Sequence, residues 1–248
     1  MAQAYAAARE SAGGGETDAF AASELPPGRR YDALLAISRS GTTTEVVRAL
    51  ELLPEGVATH AVVGVAGTPV ALAADRTVVL EFADEESVVQ TRFATTALAL
   101  LLAHLGVDVD AIAARAEAAL AAQLPADGAR AGSFVFLGRG WTVGLANEAA
   151  LKLREAALAW AESYPALEYR HGPIALADVH TVVWPLGDVG EDLLADIRAT
   201  GASVVSTADH PLADLVLAQR VAVALAQARG LDPDRPRNLA RSVVLTSS

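Results

Sequence analysis

Three charged residues in the second half of the chain have a spacing suited to acid–base chemistry. Glu148, Lys152 and Glu155 lie at positions i, i+4 and i+7 of a stretch that is typical of a helix, so they share one helical stripe. A carboxylate there can act as a general base, and an ammonium group can stabilise negative charge beside it. The alternative is a solvated Glu–Lys surface pair that contributes roughly 0.2–0.5 kcal/mol.

Composition separates Lys152 from every other basic residue. The chain has 18 arginines and this single lysine. Lysine and arginine are not interchangeable where chemistry needs a compact ammonium group or an amine that can lose its proton. The neighbouring residues Ala149–Leu151 and Leu153 are apolar. Both observations favour a functional stripe over a surface ion pair.

A run of small hydroxyl residues follows the first predicted strand and begins the next helix. It contains Ser38, Arg39, Ser40, Gly41 and Thr43. A strand-to-helix junction presents backbone N–H groups and the positive end of the helix dipole, which together bind anions. A glycine lets the backbone approach a ligand closely. The run therefore predicts a phosphate site. The alternative is a helix N-terminus with more capping residues than it requires.

Two further motifs carry weaker signals. Gly138-Arg139-Gly140 precedes the helix of the charged stripe and fits a tight turn as well as a ligand loop. His171 stands before Gly172-Pro173 on what should be a rigid turn. It could act as an acid or base, whereas a structural role is the commoner alternative for a lone histidine.

Composition excludes several functional classes. The net charge of −11 argues against nucleic acid and anionic membrane surfaces as partners. Cysteine is absent, which excludes disulfides, thiolate metal sites and cysteine nucleophiles and fits a reducing cytoplasm. The five histidines show no ligand spacing, H-E-x-x-H and G-x-S-x-G are absent, and no apolar run has membrane-spanning length. We predict a cytoplasmic protein without metal or other cofactor.

Apolar strand-like runs alternate with helical stretches along the chain, which predicts an α/β fold with parallel sheets covered on both faces. The predicted strands are 32–38, 61–65, 77–81, 133–137, 181–186 and 203–206. The predicted helices are 41–53, 87–105, 108–124, 145–161, 191–200 and 216–229. Residues 125–132 are typical of a linker, and 232–248 of an irregular tail.

The two halves look like copies of each other. Ala33–Ile37 matches Val182–Leu186 at an offset of roughly 148 residues, and a loop and a helix follow in both cases. We therefore expect two domains, residues 1–125 and 126–248. The second half has a strand and a glycine turn before its first helix, and the first half has neither. We favour a truncated start over divergence of the halves, because loss of that strand would leave an unpaired sheet edge.

The motifs together resemble the SIS (sugar isomerase) domain family, and in particular the isomerase domain of glucosamine-6-phosphate synthase. The similarity covers Ser38–Glu45, Gly138–Glu155, Glu168–Pro173 and the tail Asp234–Val243. It implies two tandem flavodoxin-like SIS subdomains, packed as a homodimer that binds a phosphorylated sugar.

The resemblance also implies roles for individual residues. Glu155 matches the base that moves a proton between C1 and C2, with Glu148 and Lys152 as its supporting pair. His171 matches the ring-opening histidine, which the partner subunit supplies. The positions implied to bind phosphate or sugar are Ser38, Arg39, Ser40, Thr43, Gln90 and Thr91.

The chain departs from the family pattern in three places. The first Gly-Thr-Ser phosphate loop of the family is absent. Arg241 stands where glucosamine-6-phosphate synthase has a lysine that reacts with the sugar carbonyl; we group it with the substrate-binding residues, but it cannot form an imine. No glutaminase domain is present, and the chain has no cysteine to serve as its nucleophile.

The resulting hypothesis is a phosphosugar isomerase or an amino-sugar-6-phosphate deaminase that works through an enediol or enolamine. The rival hypothesis is a non-catalytic phosphosugar-binding sensor module. A third alternative is an inactive chain with an incomplete first subdomain.

Overall fold

A computed structural model describes residues 1–125, 131–205 and 210–245 of the chain. Its strands are β1 (Ala33–Ser38), β2 (Ala58–Val63), β3 (Arg76–Val79), β4 (Ser133–Gly138), β5 (Trp160–Pro165), β6 (Thr181–Leu186) and β7 (Ser203–Val204). Its helices are α1 (Ala2–Ser11), α2 (Thr44–Glu51), α3 (Pro69–Ala73), α4 (Arg92–His104), α5 (Val109–Ala121), α6 (Thr142–Ala157), α7 (Glu191–Ala199) and α8 (Pro211–Ala228). The predicted α/β class is confirmed.

The strands form two parallel sheets. The first has the order β1-β2-β3, with Ser38 opposite Val63 at the end of the β1–β2 pair. The second has the order β5-β4-β6-β7, with Gly138 opposite Pro165 on one side and Leu186 on the other. Parallel pairing brings the carboxyl ends of the strands to one edge, where the following loops present their side chains.

The second sheet has a different covering on each of its faces. Phe134, Phe136 and Trp184 point towards a core that includes α6 and α8. Val135, Leu137 and Val183 point the other way, towards α7 and a 3₁₀ helix, Ala166–His171. Alternate residues of β4 therefore belong to different clusters, as the period of two in a strand requires.

Helices of both halves share the larger core. Leu98 and Ile112, on α4 and α5, belong to the same cluster as Phe136 of the second sheet. A Cβ atom added to Gly144 on α6 would lie 2.5 Å from the backbone nitrogen of Ala4 on α1, so these helices are in close contact. The division into two domains remains a prediction, and most of the expected linker falls in residues 126–130, outside the described ranges.

The predicted helix 145–161 was wrong at its C-terminal end. Helix α6 ends at Ala157, where Leu158 adopts a left-handed conformation with φ 51°, and the chain then forms β5. The sequence has neither glycine nor proline at this point to mark the end. Strand β5 is stabilised by pairing with β4, which is a tertiary contact that local sequence does not encode.

Two other helices differ from their predicted bounds. Helix α4 begins at Arg92, because residues 84–91 form an irregular segment, and α8 begins at Pro211, before the predicted 216. Among the described helices, α8 alone is long and apolar enough to cross a bilayer, but 61% of it is buried within the protein. It is the central helix of the larger core.

Candidate active site

Helix α6 holds the charged stripe in a fixed position. Ala149, Leu153 and Ala156, on its buried side, are at most 4% exposed and anchor the helix in the core. Lys152 Nζ lies 2.6 Å from Glu155 Oε2 and 3.4 Å from Glu148 Oε1. The i, i+3 and i, i+4 spacings bring both carboxylates to one ammonium group.

The stripe is not a solvated surface pair. The side chain of Lys152 is only 4% exposed, while those of Glu148 and Glu155 are 11% and 23% exposed. A buried ammonium group without partners would be strongly destabilising, so the two carboxylates allow Lys152 to lie inside the protein. Two carboxylates therefore flank one nearly buried ammonium group.

Glu155 is the carboxylate of the pair that is open to further chemistry. Its Oε2 contacts Lys152 Nζ at 2.6 Å, and its side chain is 23% exposed, against 11% for Glu148. Glu155 also lines a cavity of about 190 Å³, together with Leu158, Gly230 and Arg237. A partly exposed carboxylate beside a cavity is positioned to accept a proton.

The hydroxyl loop after β1 depends on Gly41. This residue has φ 64°, and a Cβ atom there would lie 2.0 Å from Thr68 Oγ1, so only glycine fits. The Gly41 amide donates to Ser38 Oγ at 3.2 Å, and Val70 N donates to the Gly41 carbonyl at 2.9 Å. The loop is thus closed on itself and tied to α3.

The C-terminal tail lies against this loop. Ser242 Oγ is 3.1 Å from Ser40 Oγ and 2.8 Å from Thr42 Oγ1, and Thr44 N donates to the Val243 carbonyl at 3.2 Å. Thr43 is the N-cap residue of α2, and its side chain makes no capping hydrogen bond. A tail hydroxyl therefore occupies the space between hydroxyls that the sequence predicts to bind phosphate.

Arg39 is buried rather than presented to a ligand. It is 2% exposed, and its guanidinium donates to the carbonyls of Ser87 (2.5 Å), Val88 (3.4 Å) and Arg241 (3.3 Å). Burial, and next the nearby Arg241 guanidinium, lower the pKa of Arg39. Its side chain joins the loop, the 84–91 segment and the tail; its predicted contact with phosphate remains a prediction.

Arg241 is held by the same segment. Its guanidinium forms two bonds to the Asp84 carboxylate, at 2.6 and 2.7 Å, and a third to the Glu85 carbonyl. Both bonds to Asp84 come from Nη2 and the bond to Glu85 comes from Nη1, so two nitrogens of the guanidinium are held by the 84–91 segment. The tail is therefore anchored to the 84–91 segment at Arg241.

Gln90 and Thr91 precede α4 and are both half-buried. The Glu85 carboxylate accepts bonds from Thr91 N (2.9 Å), Thr91 Oγ1 (3.0 Å) and Phe93 N (3.1 Å). Glu85 thus caps the first turn of α4 and uses the Thr91 donors. No sequence signal identified Glu85, because it caps from six residues before Thr91 through a folded segment.

Within a single chain, the predicted site residue His171 lies away from the Glu148–Lys152–Glu155 stripe. It ends the 3₁₀ helix that packs with α7, on the face of the second sheet opposite α6, and it is exposed.

The Gly138–Gly140 motif forms a tight turn. A Cβ atom on Gly138 would lie 2.4 Å from the Thr142 carbonyl oxygen, and Arg139 N donates to Thr142 Oγ1 at 2.8 Å.

No family model matches the chain. Individual known proteins, however, resemble it in sequence and in fold. The glutamine–fructose-6-phosphate aminotransferase [isomerizing] of Pyrobaculum aerophilum is 32% identical over an alignment that covers 86% of this chain and 44% of the relative. The chain thus spans less than half the length of the curated relatives it matches.

Two solved structures have the same fold over most of their length. Glucosamine-6-phosphate deaminase from Thermotoga maritima aligns with a TM-score of 0.84 at 24% identity, covering 98% of this chain and 86% of that one. Tagatose-6-phosphate ketose/aldose isomerase from Escherichia coli aligns with a TM-score of 0.78 at 20% identity, covering 100% and 82%. By sequence and by fold, the chain belongs to the SIS (sugar isomerase) domain family, as its motifs predicted.

Proposed function

We propose that this chain is a phosphosugar isomerase or an amino-sugar-6-phosphate deaminase, in which Glu155 moves a proton between C1 and C2 of the open-chain sugar. The observation that carries the proposal is the buried Glu148–Lys152–Glu155 stripe. A binding module needs no buried ammonium flanked by two carboxylates. A reaction through an enediol or enolamine needs both a base and a positive charge beside it.

The chemistry divides naturally between the three residues. The Glu155 carboxylate, which lines the larger cavity, accepts the proton from one carbon and returns it to the next. Lys152 stabilises negative charge that develops on the sugar oxygen, and Glu148 holds Lys152 in place through an ion pair. Phosphate binding by the Ser38–Thr43 loop would hold the far end of the sugar, so that binding energy orients the reacting carbons.

The related proteins support this reaction class. The structural relatives named above are an amino-sugar-phosphate deaminase and a ketose/aldose isomerase, and both act on a sugar 6-phosphate. The Arg241–Asp84 pair argues against a mechanism with a lysine imine at that position, because a guanidinium group stays protonated and is here held by a carboxylate.

A solvent-exchange experiment tests the role of Glu155. Glucosamine 6-phosphate or fructose 6-phosphate is incubated with the full chain in D₂O, and deuterium at C2 or C1 is measured by mass spectrometry. We expect Glu155→Gln to slow the exchange by about 10²–10⁴-fold, the usual contribution of a general base. Glu191→Gln, at an exposed glutamate on α7, is the matched control and should retain the wild-type rate.

Full exchange by Glu155→Gln would remove this residue from the mechanism. A wild-type chain that gains thermal stability from a sugar phosphate, but neither exchanges deuterium nor forms product, would contradict the enzyme proposal. That result would favour the sensor module.

We further propose that the active form is a homodimer in which His171 acts on the substrate of the partner subunit. Its exposed position on the face opposite α6 motivates this arrangement. Glu155→Gln and His171→Ala should each be inactive alone. Mixed in equal amounts and allowed to exchange subunits, they should recover about a quarter of the activity, because one site in four then has both native residues. No recovery would contradict a shared site.

A further inference from the structure

Lys152 also lines a second cavity, of about 100 Å³. Helix α6, helix α8, the 84–91 segment and the tail surround it. Its polar lining residues are Glu85, Ser87, Thr91, Lys152, Gln219 and Asp234. Neither the motifs nor the mechanism above gives Gln219 a role.

Gln219 is a polar residue on a helix face that is otherwise apolar. One helical turn away on either side lie Leu215, which is fully buried, and Ala222, which is 1% exposed; Gln219 itself is 8% exposed. Its side-chain nitrogen Nε2 is buried and has no hydrogen-bond partner among the described residues. A leucine would fill this position without leaving a donor unsatisfied.

An unsatisfied buried amide is destabilising, so a protein keeps one only where something offsets the loss. Gln219 shares its cavity with Lys152, which the mechanism places beside the reacting carbons. The cavity is smaller than the roughly 300–1,000 Å³ of a complete ligand pocket, so it suits one part of a ligand. Its mixture of donors and carboxylates matches hydroxyl groups, which both donate and accept.

We propose that Gln219 is a substrate-binding residue whose side-chain amide donates a hydrogen bond to a hydroxyl oxygen of the sugar. The proposal rests on the proposed function, since it assumes a sugar phosphate beside Lys152. It assigns to α8 a part in sugar recognition that is separate from phosphate binding by the Ser38–Thr43 loop. A site built to bond a hydroxyl discriminates strongly against sugars that lack it or point it elsewhere.

The substitution Gln219→Leu tests the proposal, because it removes the amide and keeps the approximate volume. Without ligand, we expect the melting temperature to stay constant or rise by about 2–4 °C, as the unsatisfied donor is lost. With glucosamine 6-phosphate, we expect the dissociation constant to increase about tenfold, which is the loss of one hydrogen bond. Binding of inorganic phosphate, measured in the same way, should not change.

Gln227→Leu, at an exposed glutamine on the same helix, is the matched control and should alter neither melting nor binding. A lower melting temperature of Gln219→Leu without ligand would assign the amide a structural role and overturn the proposal. Unchanged affinity for glucosamine 6-phosphate would overturn it as well. If the wild-type chain binds no sugar phosphate, the proposed function itself is contradicted. Wild-type binding alone reveals that outcome, so it is distinguishable from failure of the Gln219 proposal.

Discussion

Two loops that the internal repeat predicts to be equivalent have opposite chemistry. The end of β1 and the loop after it contain Ser38, Ser40 and Thr43 and no carboxylate, and a helix follows. The loop after β6 contains Asp188, whose Oδ1 accepts a bond from Gly190 N at 2.9 Å, and α7 then begins with two acidic residues. In the second loop a carboxylate already satisfies the donors that an anion would need. A position between a parallel strand and a helix is therefore not sufficient to form a phosphate site.

The strands before these loops also differ. Strand β6 pairs with β4 and β7, and all six of its residues are buried. Within the described residues, β1 pairs with β2 alone, and it is only partly buried. The two strands that the repeat predicts to be equivalent are thus buried to different extents, because burial of a strand depends on neighbours on both sides.

The largest expected effect comes from the glycines of the two loops. Gly41→Ala combines a positive φ with a Cβ atom 2.0 Å from Thr68 Oγ1, whereas the same change at Gly187, with φ 92°, meets nothing closer than 3.4 Å. We expect Gly41→Ala to reduce the free energy of unfolding by about 4 kcal/mol and Gly187→Ala by about 1–2 kcal/mol. Urea denaturation measures both, and equal losses would contradict the tight packing of the first loop.

A carboxylate introduced into the loop after β1, like the one in the loop after β6, should abolish phosphate binding there. Ser40→Asp places a carboxylate in the hydroxyl loop, where it can still accept from Thr42 N; the bond that Ser40 donates to Ser242 would have to reverse direction. We expect the fold to be retained and the affinity for a sugar 6-phosphate to decrease at least 100-fold, about 2.7 kcal/mol, through charge repulsion. Asp188→Ser is the control and should leave affinity unchanged. Undiminished binding by Ser40→Asp would place the phosphate elsewhere.

The strands offer a smaller contrast. Leu186 of β6 is fully buried, and Leu34 of β1 is half-buried. We expect Leu186→Ala to cost about 3 kcal/mol of stability and Leu34→Ala about 1 kcal/mol. Similar costs in urea denaturation would indicate that β1 is covered in solution, for example by a second copy of the chain.

The smallest expected effect concerns the tail, which contacts the hydroxyl loop. Ser242→Ala removes its bonds to Ser40 and Thr42 and should cost less than about 1 kcal/mol, since both bonds are only part-buried. Ser11→Ala, at an exposed hydroxyl on α1, serves as the control. A loss of several kcal/mol, measured by thermal unfolding, would mean that Ser242 is essential for docking the tail.

The candidate site divides into residues that sequence patterns locate and residues that they do not. The spacing of Glu148, Lys152 and Glu155 predicted one stripe, because helical periodicity is local. Gln219 was missed, although a glutamine among apolar residues at helical spacing was a signal. Glu85 gave no signal, since it caps α4 from an irregular segment.

The sequence by itself determined the α/β class, the hydroxyl loop, the charged stripe and the family, since each is written in local periodicity or in a contiguous motif. Only the tertiary structure decided that Lys152 is buried between its carboxylates, that Arg39 donates to three carbonyls, and that helix α6 gives way to β5 after Leu158. The physical reason is common to all three. Burial, ion-pair partners and strand pairing depend on segments distant in sequence, and packing alone brings those segments together.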